Sequence, residues 1–231
     1  KVKSIYLLDN IEFSPQWLLD LGARWDKFDT KQVTNATGAK IENKKDFFTY
    51  QAGITFKPVE NGSIYTSYAT SANPVGVDGG DGSEAIGQAY MDLKPEEART
   101  IELGTKWDLL SDSLNLTAAI FRTEKQNTRI AVDANTTTNA GESKVDGFEL
   151  GLTGHITDKW EMAVGYSYLD SEVEKAAYNA VAQEGKPLPF VAKNSASLWT
   201  TYKVLPKLTV GAGAQYRDQV YANTNPNTAL T

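Results

Sequence analysis

The chain has no cysteine and a single histidine among its 231 residues. Without cysteine there is no disulfide scaffold, thiolate metal site, iron–sulfur cluster or cysteine nucleophile. With only His155, a histidine-rich metal site cannot be assembled, and a serine–histidine triad would have to use that one residue. No run of about 18 apolar residues occurs, so no membrane-crossing helix is encoded. Positive charge is scarce as well: Lys+Arg number 23 against Asp+Glu 29, a net charge of −6 that argues against wrapping nucleic acid. What remains is a chain with 18 glycines, 11 tyrosines and 5 tryptophans, a composition that favours β-structure. It begins at Lys1 rather than methionine and ends at Ala229-Leu230-Thr231, as a processed chain or a fragment would.

Hydrophobic periodicity is two nearly throughout, and helical periodicity is weak. Leu19, Leu21, Ala23 and Trp25 alternate with Asp20, Gly22, Arg24 and Asp26. Phe48, Tyr50, Ala52, Ile54 and Phe56 do the same, as do Ile101, Leu103, Thr105, Trp107 and Leu109. Leu114 to Ile120, Phe148 to Leu152, Trp160 to Tyr168, Ala196 to Val204 and Leu208 to Tyr216 follow, and Ile5 to Phe13 and Ser63 to Thr70 complete ten strands. Short turns at residues 14–16, 58–62, 111–112, 155–159 and 205–207 alternate with long polar segments at 30–45, 71–98, 124–142, 171–193 and from 218 onward. Short connections at one end and long ones at the other are the mark of an outer-membrane barrel, with short periplasmic turns and long extracellular loops. The strands run to about 10–13 residues, longer than the usual soluble strand of about 5–6 and right for a tilted membrane crossing. The fold expected is therefore all-β: an antiparallel up-and-down transmembrane β-barrel segment.

The faces agree with that reading. Trp17, Phe56, Trp107 and Trp160 fall near the short turns, and Trp25, Phe48, Tyr68, Tyr166, Tyr168 and Tyr216 nearer the long loops, as two interfacial belts would place them. An ordinary all-β protein with aromatics at sheet edges is the competing reading. The opposite face carries Asp20, Arg24, Asp26, Lys57, Glu102, Lys106, Asp108, Glu149 and Glu161, which suits a wet or plugged interior better than a dry core. Glycines interleave with them, as they would if another backbone approached closely.

Ligand groups fall in the loops or at their bases: Tyr90, Arg99, Arg122, Arg129, Tyr178, Phe190, Arg217 and Tyr221. Guanidinium and aromatic groups there suit an anionic, catechol-bearing ligand through charge and stacking. The acidic, glycine-rich run Asp78 to Gly82 has calcium-type ligands without EF-hand spacing, and reads first as a solvated loop. The pair Glu96 and Glu97, and Glu172 with Glu174, sit in exposed segments with nothing to focus them on a substrate, so neither a catalytic site nor a resident metal or cofactor is expected.

Five ordered stretches resemble those of TonB-dependent siderophore receptors. They are Leu93-Lys94-Pro95-Glu96-Glu97 running to Ile101-Glu102-Leu103-Gly104-Thr105-Lys106, then Ile64 to Pro74, Ala119 to Asn127, Lys144 to Leu150, and Pro187 to Tyr202. Ala192 stands where the family often has proline. The flavour is nearest the catecholate subgroup. The resemblance implies a barrel of which this chain supplies about ten of 22 strands, since ten cannot close that diameter. It implies that residues 1–231 are a partial barrel domain, lacking the plug and the final strands. It also implies import of a ferric siderophore energised through TonB by way of an N-terminal region outside this chain, with iron entering as the ligand. The partners implied are the ferric siderophore, the TonB complex, and outer-membrane lipid and lipopolysaccharide; nucleic acid is not among them. A passive porin, and an outer-membrane enzyme built around His155, are the alternatives.

Overall fold

The computed structural model describes residues 1–33, 38, 40–75, 92–131, 137–221 and 229–230. Ten strands form one antiparallel sheet in sequence order: β1 (Val2–Ser14), β2 (Trp17–Val33), β3 (Lys40–Val59), β4 (Gly62–Asn73), β5 (Glu96–Leu109), β6 (Leu114–Ala131), β7 (Thr137–Thr157), β8 (Trp160–Lys175), β9 (Asn194–Leu205) and β10 (Leu208–Arg217). A two-residue pair, β11 (Val220–Tyr221) with β12 (Ala229–Leu230), follows. The only helical element among the described residues is a single 3-10 turn, Val181–Gln183.

All five expected short turns are present, and all at one end of the sheet. The turn between β5 and β6 uses three successive left-handed residues, Leu110, Ser111 and Asp112, with φ of 54°, 55° and 66°. Gly154 is needed beside it: its φ is 137°, and a Cβ there would lie 2.2 Å from the Ser113 carbonyl oxygen. His155, expected in a turn, lies near the end of β7 opposite Glu161.

The long connections differ from expectation at 30–45 and 124–142. Pairing of β2 with β3 continues to Val33 opposite Lys40, and of β6 with β7 to Ala131 opposite Thr137. These hairpins stand beyond the apolar band with both faces wet, so the alternation that announces a strand disappears while the backbone ladder goes on. The segments at 171–193 and 71–98 also lend residues to β8, β4 and β5.

Register fixes the two faces. Trp25, Ala23, Leu21, Leu19 and Trp17 stand opposite Phe48, Tyr50, Ala52, Ile54 and Phe56. On the same face Leu103 stands opposite Ile120, Ile120 opposite Phe148, and Phe148 opposite Tyr168. This apolar face is bare: Ile101 is 55% exposed, Ile120 54% and Leu103 49%. Among the described residues the buried hydrophobics are only Val75, Leu93, Leu114 and Ala192. Among the described residues no second layer covers the apolar side of the sheet, and that side is built for contact with lipid.

Aromatic groups mark both edges of this band. Trp17 and Phe56 meet at 4.5 Å between ring centroids near the short turns, and Tyr50 stacks on Tyr68 at 5.9 Å toward the other end. Trp160 donates to Thr200 Oγ1 at 2.8 Å, and Trp107 to Thr105 Oγ1 at 2.6 Å, so their ring N–H groups are satisfied within the wall.

Candidate functional site

The polar face and the long-loop end form the candidate site. On the polar wall three glycines make room for a ring from the adjacent strand. Gly104 stands opposite Tyr65, Gly147 opposite Phe121 and Gly213 opposite Trp199. A Cβ at these positions would lie 2.4, 2.2 and 2.6 Å from the respective rings. At these three positions the room left by glycine is taken by rings from the adjacent strand. Tyr65, laid over Gly104, donates its hydroxyl to Glu102 Oε1 at 2.5 Å, and Lys106 Nζ lies 5.4 Å from its ring centroid. Arg24, Asp26 and Ser4 form a second polar cluster on β1 and β2, with Arg24 Nε 2.7 Å from Asp26. Glu149, Gly165, Ser167, Ser195, Ser197 and Arg217 border a groove of about 500 Å³.

At the mouth, Glu96 ties several loops together. It is 5% exposed and faces the polar side, while its neighbour Glu97 faces the opposite way. Its carboxylate takes Lys125 Nζ at 2.8 Å, the backbone N–H of Arg129 at 3.0 Å and the Asn73 amide at 3.4 Å. Arg129 Nε approaches it at 3.6 Å. The two acids that look like an exposed pair in sequence are separated by the pleat, and one of them is a buried anchor. Asn139 adds a second tie: it accepts from the Lys94 N–H at 2.7 Å and donates to the carbonyls of Lys94 and Asn127. Thr30 donates to the Val75 carbonyl, and Asn43 to that of Leu93. Val75 and Leu93 pack with Ile41 as a small hydrophobic cluster above the sheet.

A second rim network joins the β8–β9 loop to β10. Ser171 Oγ accepts from the Leu188 N–H at 3.1 Å. Arg217 Nη2 donates to the Phe190 carbonyl at 2.9 Å, and the Phe190 N–H donates to the Tyr221 carbonyl at 2.9 Å. Ser171 and Arg217 both belong to the polar face, opposite Val145 and Ser195 respectively. They therefore draw this loop over the inside of the wall. Phe190 is held there with a left-handed φ of 60° and its side chain 60% exposed, a conformation unfavourable for a bulky residue and kept by bonds to both its backbone polar groups. Asp218 closes the network. Its carboxylate accepts from Tyr216 Oη at 2.6 Å, and from the side-chain amide and N–H of Asn194 at 2.7 and 2.9 Å. The Tyr216 hydroxyl, and then Asn194, hold this loop carboxyl below the usual aspartate range.

Of the eight residues chosen from sequence, Phe190, Arg217 and Tyr221 converge in this rim network, and Arg129 joins Glu96 across the mouth. Tyr178 stands 47% exposed in the same β8–β9 loop. Arg99 and Arg122 lie on the apolar side of the pleat, paired with Glu124 and Asp146. Tyr90 lies outside the described residues, as does the acidic run Asp78 to Gly82. Among the described residues no cluster of three or more His, Asp or Glu side chains is arranged to hold a metal ion. The rim residues missed in sequence are Glu96, Asn139, Asn194 and Asp218. Pro95 immediately before a strand was the local signal for the first, since it marks where the ladder begins.

The protein-family description "TonB dependent receptor-like, beta-barrel" matches residues 1–231. The chain is 59% identical over 95% of its length to the probable TonB-dependent siderophore receptor PiuA of Acinetobacter baumannii, covering 32% of that protein. It is 30% identical over 92% of its length to the catecholate siderophore receptor Fiu of Escherichia coli, covering 31% of it. The crystal structure of the siderophore receptor PiuA from Acinetobacter baumannii superimposes with a TM-score of 0.90 at 58% identity, over 96% of this chain and 34% of that one. The chain thus spans about a third of the length of the relatives it matches.

Proposed function

Because the chain belongs to the TonB-dependent receptor β-barrel family, we propose that it forms part of the wall of an outer-membrane receptor importing ferric siderophore with energy drawn through TonB. The observation that carries this reading is the 59% identity to a probable siderophore receptor along almost the whole chain. The geometry supports it: a bare apolar side for lipid, a polar side for the interior, and the long connections gathered at one end. Ten strands are too few to close a barrel wide enough for a plug, so the wall is completed by further strands. The ligand is carried without any bond in it being made or broken, and iron is cargo inside the siderophore rather than a resident cofactor.

The rim is the part of this chain that meets the ligand first. Arg217 supplies cationic charge at the mouth, and Phe190 and Tyr221 supply rings. That set fits an anionic complex with flat aromatic chelating groups, and the likeness to a receptor named for catecholate siderophores points the same way. The full-length receptor titrated with a ferric tris-catecholate, followed by tryptophan fluorescence, is expected to quench saturably. Arg217→Ala together with Phe190→Ala is expected to weaken binding about tenfold or more, the scale of one desolvated cation–ring contact. Equal affinity for a neutral ferric tris-hydroxamate would overturn the catecholate assignment.

A further inference from the structure

The second half of the β8–β9 connection is a strap rather than a free loop. It runs back along β8, where Gly185 and Lys186 exchange backbone bonds with Val173 at 2.8 and 2.9 Å. Two residues on, the Leu188 N–H reaches Ser171 Oγ. Pro187 and Pro189 each fix their own φ and restrict the residue before them, so the stretch is stiff. The strap then crosses to the β10 side at Phe190, whose N–H bonds the Tyr221 carbonyl and whose own carbonyl takes Arg217 Nη2. The crossing puts Phe190 at a φ of 60°. A bulky residue disfavours that region, and the prolines leave little room to relax it.

Arg217 is the other half of the crossing. Arg24, Arg99 and Arg122 each grip a carboxylate. Among the described residues Arg217 forms no ion pair, and gives Nη2 to a neutral carbonyl instead. A guanidinium bonds an ionised oxygen about twice as strongly as a neutral one. Arg217 therefore holds the strap with the weaker of the two bonds open to it. It also lines, with Ser167, Ser195 and Ser197, the groove of about 500 Å³ on the interior face. The weak bond and the strained residue meet at one point, directly above the space a ligand would enter.

We propose that Phe190 and Arg217 form a latch that an anionic ligand opens. Ligand oxygens entering the groove take the Arg217 donors, the Phe190 carbonyl is released, and the strap lifts as residue 190 leaves the left-handed region. The strap is thus displaced by the ligand rather than folded over it, and the ring of Phe190 is freed to stack on the complex. Strain held in the shut latch lowers the binding needed to open it. A neutral complex has no hold on the guanidinium and leaves the latch shut. The inference rests on the siderophore reading of the rim and adds to it how that rim is regulated.

The test compares Phe190→Ala with Phe190→Gly in the full-length receptor in lipid vesicles. Both lack the ring, so the difference between them isolates the backbone: alanine keeps the left-handed strain and glycine relieves it. The shut latch is the structure seen, so apparent affinity scales with the fraction that opens. Without ligand, hydrogen exchange in peptides spanning 188–191 is expected to be about fivefold slower in Phe190→Gly, from the left-handed penalty of alanine less the entropy that glycine loses. Phe190→Gly is expected to bind a ferric tris-catecholate more weakly than Phe190→Ala by the same factor, an effect that a merely structural role would not produce. In the wild type, saturating tris-catecholate is expected to speed exchange in these peptides, and a neutral ferric tris-hydroxamate to leave it unchanged. A wild type that does not bind the tris-catecholate overturns the siderophore reading and this inference with it. Binding that slows exchange or leaves it unchanged, Phe190→Gly exchanging no more slowly than Phe190→Ala, or Phe190→Gly binding as tightly as Phe190→Ala overturns this inference alone.

Discussion

Ala118 and Ala119 are adjacent on β6 and point to opposite sides of the wall. Ala118 stands between Thr105 and Leu150 on the apolar side, and Ala119 between Gly104 and Glu149 on the polar side. The same change, alanine to arginine, therefore tests the face assignment without altering chemistry or position along the strand. At Ala118 the guanidinium would lie midway along the apolar run from Leu114 to Ile120, where an arginine facing lipid costs about 2–4 kcal/mol. That is about 30- to 900-fold in the folded-to-unfolded ratio, at 1.36 kcal/mol per decade. At Ala119 the guanidinium would meet water and the Glu149 carboxylate, where an opposite-charge cross-strand pair returns about 0.2–1 kcal/mol. The assay is denaturant-induced unfolding of the full-length receptor in lipid vesicles, followed by tryptophan fluorescence. Ala118→Arg is expected to lower stability by about 2 kcal/mol or more relative to Ala119→Arg. Equal costs, or a larger cost at Ala119, would refute the assignment of lipid and interior faces.

Three further outcomes follow from the same geometry. Gly104→Val places a Cβ 2.4 Å from Tyr65 and is expected to cost about 1–3 kcal/mol in the same unfolding assay, with Tyr65→Ser in the second strand recovering part of that cost; no recovery would mean the two side chains do not share the space. Glu96→Gln removes the charge held by Lys125 and the Arg129 N–H, and is expected to raise amide hydrogen exchange around Leu93 and Lys94 by about 1–3 kcal/mol of lost protection, while exchange on β9 stays unchanged. The Asp218 carboxyl lies below its ordinary value because Tyr216 and Asn194 bond its charged form, so its contribution is full above the unfolded value of about 4 and is lost as pH falls through the folded value. Protection of the Asn194 and Phe190 amides is therefore expected to drop on acidification, and Asp218→Asn is expected to abolish that pH dependence.

Strand number, turn positions and the lipid face were all legible in the alternation of residues such as Leu19, Leu21, Ala23 and Trp25, because a wall wet on one side and oily on the other writes its register into every second residue. Where both faces are wet the alternation carries no signal. Pairing of Val33 with Lys40 and Ala131 with Thr137 leaves no hydrophobic trace. Cross-strand facts were equally silent: that Tyr65 fills the space above Gly104 depends on which residues the register brings opposite each other, and one strand alone does not contain that information. The placement of Arg99 and Arg122 was available by parity. Ile101 faces lipid, so Arg99, two residues away on the same strand, faces outward too. Their residue type suggests a ligand role, whereas the pleat places them on the outward face. The rim network around Phe190 and Asp218 came from loop backbone geometry, which no periodicity encodes.

Uptake of radiolabelled ferric siderophore by cells carrying the full-length receptor, measured with and without a protonophore, tests the transport reading most directly. Saturable uptake that collapses when the proton-motive force is removed, while binding at the surface persists, is the expected result. Uptake that rises linearly with concentration and continues unchanged in de-energised cells would contradict it and return the wall to a passive pore.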